Sequence, residues 1–157
     1  MLALAAACET EPAISDTPPT VTEEGLQGLE SVLGRWDVSG AVTDPCPEEL
    51  QVPFPLGLTQ WRAVEERLEV AGEGPLSATL ELFPLDATTF SRQLSGRWSD
   101  CASTQTLTLR ITEQTTAIMR GTFDVTTSLS SGALCPLDVD TAMFPCTAQT
   151  SWTARRK

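Results

Sequence analysis

The residues of this sequence that could do chemistry are carboxylates and cysteines, because it contains no His, Asn or Tyr. That composition excludes histidine-dependent nucleophilic catalysis, histidine metal sites and N-glycosylation. Paired carboxylates can serve as general acid and base or bind Ca²⁺, and Asp138 and Asp140 would share one face of a strand. A calcium site needs about six oxygen ligands, and no loop of that kind surrounds this pair. We therefore expect both acids to face solvent, and we predict no catalytic residue, no metal site and no cofactor.

Four cysteines form an even set that can pair: Cys46, Cys101, Cys135 and Cys146. Three of them lie next to prolines, in the turn-like contexts where disulfides tie loops together. None belongs to a CxxC pair, which disfavours a structural zinc site. Four cysteines allow three connectivities, and of these we expect Cys135 with Cys146 and Cys46 with Cys101.

The remaining cysteine follows an apolar start. Residues 1–7 are wholly apolar up to Cys8, and an acidic stretch begins directly after it. This arrangement resembles the lipobox of bacterial lipoproteins, in which a cysteine is acylated on its sulfur and freed by signal-peptide cleavage. The resemblance implies that Cys8 is lipidated and that the protein is anchored to a membrane of the bacterial cell envelope, in the periplasm or at the outer membrane.

The match covers these eight residues and departs from the family pattern in two respects. The leucine that usually stands three residues before the cysteine is replaced by Ala5, and Leu4 lies one residue further away. A secretory signal also has a positively charged start and about 7 to 15 apolar residues, whereas only seven uncharged residues precede Cys8. We expect the natural start to lie upstream; the alternative is an apolar terminus on a protein that stays inside the cell.

The chain divides into three parts by composition. Residues 1–8 are the truncated signal peptide and lipobox-like segment. Residues 9–25 are rich in Pro, Thr and Glu and too poor in apolar residues to offset the entropy of ordering, so they are predicted to be a disordered acidic tether. Residues 26–157 form the folded domain. There is no apolar run of about 18 residues, so no helix is predicted to span a membrane.

Alternating apolar and polar residues dominate the folded domain. Leu107, Leu109 and Ile111 alternate with polar residues, which is the pattern of half-buried strands. About eight segments have strand character, near residues 36–42, 58–64, 66–71, 78–82, 87–94, 107–112, 117–126 and 148–154. Only residues 26–33 have a helical pattern, and no strand–helix–strand alternation occurs. The predicted fold is all-β: a single antiparallel barrel or sandwich of about eight strands.

The first strand begins with Gly34, Arg35 and Trp36. This resembles the Gly-x-Trp start of lipocalins and related calycin barrels, in which the tryptophan plugs one end of the barrel and a basic residue of the last strand packs over it. The resemblance implies that Arg155 or Arg156 takes that part. It also implies a cavity for a small apolar ligand beneath Trp36, with Trp36 and Arg155 as candidate ligand-binding residues. Small residues should then line the inward faces, namely Ala117, Gly121 and Ala148.

The charge balance limits the partners. The formal net charge is −11, and the basic cluster at residues 155–157 is interpreted as a solvated end, so nucleic acid is not an expected partner. The expected role is a membrane-anchored, non-enzymatic module that binds a ligand or an envelope protein or supports the envelope. The alternatives are a lipocalin-like carrier of a small apolar ligand and a hydrolase that relies on two buried carboxylates with raised pKa values.

Overall fold

The computed structural model describes residues 20–74, 77–98, 101–129 and 144–157. In these ranges the chain forms one helix, one short 3-10 turn (Glu48–Leu50) and eight strands. The helix is α1 (Glu23–Val32), and the strands are β1 (Gly34–Thr43), β2 (Gly57–Val64), β3 (Arg67–Gly72), β4 (Thr79–Pro84), β5 (Thr89–Trp98), β6 (Cys101–Gln114), β7 (Ile118–Leu129) and β8 (Cys146–Arg156).

Each strand pairs in antiparallel fashion with the next strand in the chain, and β1 also pairs with β8. This last ladder runs over eight residue pairs, from Trp36 with Arg156 to Thr43 with Gln149, and it closes the sheet into a barrel. Closure leaves no unpaired edge between the first and last strands. The prediction of an antiparallel all-β domain of about eight strands is confirmed, and of its two forms the barrel is the one observed.

The period-two pattern places apolar side chains inside the barrel. Leu107 and Leu109 in β6 are buried while Thr108 between them is half-buried, and Phe123 in β7 is buried while Thr122 before it is half-buried. A barrel of eight strands has an interior just wide enough for side chains to fill it or for one small ligand. The expected inward position of Ala117 is wrong, because Ala117 lies exposed before β7 in a turn where its N–H donates to Thr115 Oγ1.

Helix α1 covers the end of the barrel where β1 begins. The helix is predicted over residues 26–33 and begins three residues earlier, at Glu23. The cause is a cap: Thr22 Oγ1 accepts a hydrogen bond of 3.0 Å from the N–H of Gly25. Leu29 and Val32 are buried against the barrel, so the apolar face of α1 extends the core at this end.

The turn between β4 and β5 supports α1. A Cβ atom on Gly28 would lie 2.5 Å from the carbonyl oxygen of Ala87, so only glycine permits this close approach of helix and turn. Asp86 shapes the turn, because its Oδ1 accepts a hydrogen bond of 2.9 Å from the N–H of Thr88. That hydrogen bond to the charged form is the main cause that lowers the pKa of Asp86 below its ordinary value.

Candidate ligand-binding site

The two ends of the barrel are built differently. We call the end where β1 begins and β8 ends the closed end, and the opposite end the mouth. At the closed end Trp36 is fully buried, and its Nε1 donates a hydrogen bond of 2.9 Å to the carbonyl oxygen of Val32. The guanidinium carbon of Arg156 lies 4.4 Å from the centre of the Trp36 ring. The tryptophan and the arginine therefore seal this end together with α1.

Arg156 covers the tryptophan, and Arg155 does not. In the β1–β8 ladder Trp36 is the direct partner of Arg156, and directly paired residues project from the same face of a sheet. The period of two places Arg155 on the opposite face, where it is exposed. Of the two arginines that the lipocalin resemblance allows, only Arg156 therefore has the implied contact.

Aromatic side chains fill the interior beneath Trp36. The ring centres of Trp36 and Trp61 are 6.4 Å apart, those of Trp61 and Trp152 are 5.7 Å apart, and Phe54 stacks on Phe123 at 5.1 Å. All five side chains are buried. In the part of the chain that the structure describes, rings thus occupy the volume that the lipocalin resemblance assigns to a ligand.

Gly121 and Ala148 do not line a cavity beneath Trp36 either. A Cβ atom on Gly121 would lie 1.8 Å from the carbonyl oxygen of Arg110 and 2.9 Å from Cζ2 of Trp152. Glycine is therefore needed at this position for the close approach of β6 and β7. Ala148 does border a pocket, but that pocket lies at the mouth.

A disulfide joins the two strands that close the barrel. Cys46 lies three residues beyond Thr43, the last residue of β1, and Cys146 lies three residues before Gln149, the partner of Thr43 on β8. The antiparallel register therefore brings the two cysteines opposite each other. Their Cα atoms are 5.7 Å apart, and the two residues are disulfide-bonded.

The expected pairing of Cys135 with Cys146 and of Cys46 with Cys101 is wrong, because Cys46 and Cys146 are bonded to each other. The expectation joined Cys135 and Cys146 across one proline-bounded loop, whereas the observed bond joins cysteines 100 residues apart that the β1–β8 ladder brings together. Cys101 is disulfide-bonded as well.

The connection between β1 and β2, residues 44–56, folds into the barrel, and we call it the mouth loop. It is held at three points. Cys46 is bonded to β8, Gln105 Nε2 donates a hydrogen bond of 2.7 Å to the carbonyl oxygen of Leu50, and Phe54 is inserted among the core rings. The mouth loop is therefore part of the core and does not merely connect two strands.

An apolar pocket of about 170 Å³ lies between the mouth loop and the inner faces of β7 and β8, and we call it the mouth pocket. Its lining consists of Val42, Asp44, Gln51, Val52, Pro53, Phe54, Leu56, Phe123, Val125, Ala148 and Thr150. The side chains of Val42 and Leu56 are 59% and 46% exposed. Two large apolar residues that border a concave apolar site form a surface suited to a ligand or partner.

Val42 is exposed because the barrel wall is incomplete beside it. Alternation with Trp36 and Val38 predicts that Val42 lies in the core. However, β2 begins at Gly57, which is the partner of Val38, so the following residues of β1 pair with β8 alone. The inner face of β1 therefore opens toward solvent at the mouth.

Asp44 is the charged side chain in the lining of the mouth pocket. Its Oδ1 accepts a hydrogen bond of 2.9 Å from the N–H of Cys46, whose position is fixed by the disulfide. No basic side chain forms an ion pair with Asp44 among the described residues. The pocket thus combines apolar walls with one unpaired carboxylate.

Among the residues whose burial the structure describes, the buried polar side chains are hydroxyls, and none is a carboxylate: Thr59, Ser103, Thr127 and Thr150. No group of three potential metal ligands occurs in the described ranges. Several residues with predicted roles lie outside the described residues, namely Cys8, Cys135, Asp138 and Asp140. Within residues that the structure covers, no helix has the length and apolarity to cross a membrane.

Comparison with protein-family models, with curated proteins and with solved structures finds no match. The contact between Trp36 and Arg156 at the closed end says nothing of a ligand. The mouth pocket is therefore the feature of the molecule that bears on its function.

Sequence reasoning missed the mouth loop. Its second half, residues 51–56, places Val52, Phe54 and Leu56 at every second position, but Pro53 and Pro55 exclude a central strand, so the segment predicts a connection. The overlooked signal is its composition: Val52, Phe54 and Leu56 gain free energy by burial, which favours a segment that folds back onto the core.

Proposed function

We propose that this protein is a membrane-anchored, non-enzymatic binding module of the bacterial cell envelope, and that its barrel holds a small apolar group at the mouth. The observation that carries the proposal is the mouth pocket, an apolar cavity of about 170 Å³ bordered by the exposed side chains of Val42 and Leu56. Binding would remove these side chains from water, which is favourable in proportion to the apolar area covered. The mouth is preferred over the space beneath Trp36 because aromatic rings occupy that space.

Disulfide chemistry supports an exported location. Disulfides form and persist in oxidising compartments and are rare in the cytosol, and Cys46, Cys101 and Cys146 are all disulfide-bonded. Lipidation of Cys8 is proposed from the lipobox-like start. Since the chain enters α1 at the closed end, a tether would hold the barrel by that end and leave the mouth accessible to a ligand or an envelope protein.

Benzene is a suitable probe of the mouth pocket, because an apolar cavity of about 150 Å³ is large enough to bind it. The full chain is titrated with benzene while backbone amide shifts are followed by ¹H–¹⁵N NMR. We expect saturable shifts centred on Val42, Phe54 and Ala148. Ala148→Phe, which fills the pocket, should weaken binding by about tenfold or more, equivalent to about 1.4 kcal/mol.

Leu85→Ser is the control at the closed end. Leu85 is an apolar residue with an exposed fraction of 39%, close to the 46% of Leu56 at the mouth pocket. This variant should bind benzene as the wild type does. The proposal for the mouth pocket fails if the shifts do not saturate. It also fails if Ala148→Phe keeps the wild-type affinity while its amide spectrum shows an intact fold.

Metabolic labelling tests the proposed anchor independently. The protein is expressed from its own gene in its source bacterium with an alkyne analogue of palmitate, and label and membrane association are measured. Cys8→Ala should lose both, whereas the neighbouring substitution Thr10→Ala should keep both. Absence of label from the wild type, or label that survives in Cys8→Ala, would disprove lipidation at this residue.

A further inference from the structure

The mouth pocket has features that select among apolar ligands. We infer that it binds a small amphiphile in which a protonated amine is attached to a hydrocarbon part about the size of a benzene ring. This inference rests on the proposed function of the mouth pocket and goes beyond it by naming the charge and the size of the ligand.

The size follows from the volume of the pocket. A cavity of about 150 Å³ holds one benzene molecule, and the mouth pocket measures about 170 Å³. Sites for drug-sized ligands are usually about 300 to 1,000 Å³. The walls of Phe54, Phe123 and Val125 therefore enclose one ring or a chain of similar volume, and any polar group attached to it must remain at the rim.

The charge follows from the single carboxylate at the pocket. Asp44 lines the pocket, and its Oδ1 is held by the N–H of Cys46 at 2.9 Å. Among the described residues its Oδ2 has no hydrogen-bond partner and no cation is paired with it. Because the disulfide fixes Cys46 on β8, the carboxylate is positioned before a ligand arrives, which reduces the entropy that binding must overcome.

No basic side chain is present to receive an anionic ligand in this pocket. The lining contains neither Lys nor Arg, and the whole chain carries a formal net charge of −11. A carboxylate ligand would therefore meet like charge at the rim and across the surface, whereas an ammonium group would meet an unpaired acceptor. Charge complementarity of this kind gives specificity between ligands of equal shape.

The test uses three ligands that share one ring and differ in the attached group: benzylamine, benzyl alcohol and benzoate. Each is titrated into the full chain at pH 7 and low ionic strength, with the amide shifts of Val42, Phe54 and Ala148 as the readout. We expect benzylamine to bind most tightly and benzoate most weakly, with at least about a tenfold difference between them. Added salt should narrow that difference, because it screens charges near the surface.

Asp44→Asn is the decisive variant, because the amide oxygen of asparagine can still accept the hydrogen bond from Cys46. It should bring benzylamine down to the affinity of benzyl alcohol and leave benzyl alcohol unchanged. Asp124→Asn is the matched control, since Asp124 lies outside the pocket lining and pairs with Gln149. This control should keep the wild-type order of affinities.

The outcomes separate the two proposals. If none of the three ligands binds, the mouth pocket is not a ligand site, and both the proposed function and this inference fall. If all three bind with similar affinity, or benzoate binds best, the pocket is a site for apolar groups and only the preference for an amine is overturned. An unchanged preference in Asp44→Asn would also overturn it, because the charge of Asp44 would then not be its source.

Discussion

Removal of the disulfide that closes the barrel should lower the free energy of unfolding by about 2 to 4 kcal/mol. The perturbation is the double substitution of Cys46 and Cys146 by alanine. Their bond spans 100 residues, and closing a loop of that length in the unfolded chain is worth about 4.7 kcal/mol in the chain-entropy model. A second bridge at Cys101 already restricts the unfolded chain, so the expected loss lies below that value.

For a domain of about 150 residues, each kcal/mol shifts the melting temperature by about 2 to 4 °C. The expected fall in Tm is therefore about 4 to 16 °C. Urea unfolding followed by tryptophan fluorescence measures the free energy directly, and calorimetry gives the Tm. Benzene affinity should fall in the same variant, because the bond holds the mouth loop against β8.

The two single substitutions, Cys46→Ala and Cys146→Ala, serve as controls for the cause of the loss. Either one breaks the same bond, so each single variant should lose as much as the double variant. Loss of side-chain contacts alone would instead add between the two positions. Additive losses, or a loss below about 1 kcal/mol in the double variant, would refute the reasoning that the cross-link between β1 and β8 stabilises the barrel.

Three further variants test the close approach at β7, the register of β8 and one titrating group. Gly121→Ala should lower the free energy of unfolding by about 2 kcal/mol or more, because the added Cβ would meet the backbone of β6. Gly96→Ala is the control, since its added Cβ would have its nearest contact at 3.7 Å, and it should change the free energy by less than about 0.5 kcal/mol. Equal losses of unfolding free energy in urea titrations of the two variants would contradict the close approach of β6 and β7. Arg156→Ala should cost about 0.5 to 2 kcal/mol through loss of its contact with the tryptophan ring, and Arg155→Ala less than about 0.5 kcal/mol; the reverse order in thermal unfolding would contradict the β1–β8 register. A hydrogen bond from the backbone of Thr88 lowers the pKa of Asp86 in the folded state. The carboxylate of Asp86 therefore stabilises the fold at pH values above its unfolded pKa of about 3.9. This contribution is lost as the pH falls through the lower pKa of the folded state. Asp86→Ala should therefore be less stable than the wild type at neutral pH and equal to it in strong acid; a difference that does not change with pH would show that the charge is not responsible.

The strands of the barrel are predictable because the period of two is a local property. Leu107 and Leu109 project to one face of β6 whichever strand lies beside it, since a pleated backbone alternates its side chains. The short helix before β1 is also predicted from a local pattern. The start of α1 differs from the prediction because capping by Thr22 extends the helix toward its N-terminus. Fold class and inner faces are therefore encoded by neighbours in the chain.

Contacts between distant residues are not predictable in this way. The expected cysteine pairs are wrong, and the sequence leaves open whether Arg155 or Arg156 covers Trp36. The cysteine pairing and the position of the arginine both depend on the register between β1 and β8. That register exists only when the first and last strands meet. The exposure of Val42 has a similar cause, because it depends on where β2 begins to pair.

By itself, the sequence determined that this protein is an antiparallel β domain of about eight strands and that histidine chemistry is excluded, because composition and alternation are properties of the chain alone. The tertiary structure decided that the sheet closes into a barrel, that Cys46 bonds Cys146, that Arg156 covers Trp36 and that the pocket lies at the mouth. Each of these depends on segments separated by many residues. The relative positions of these segments are set by the closure of the barrel and by the packing of aromatic rings in its interior. Closure and packing cannot be predicted from local sequence patterns.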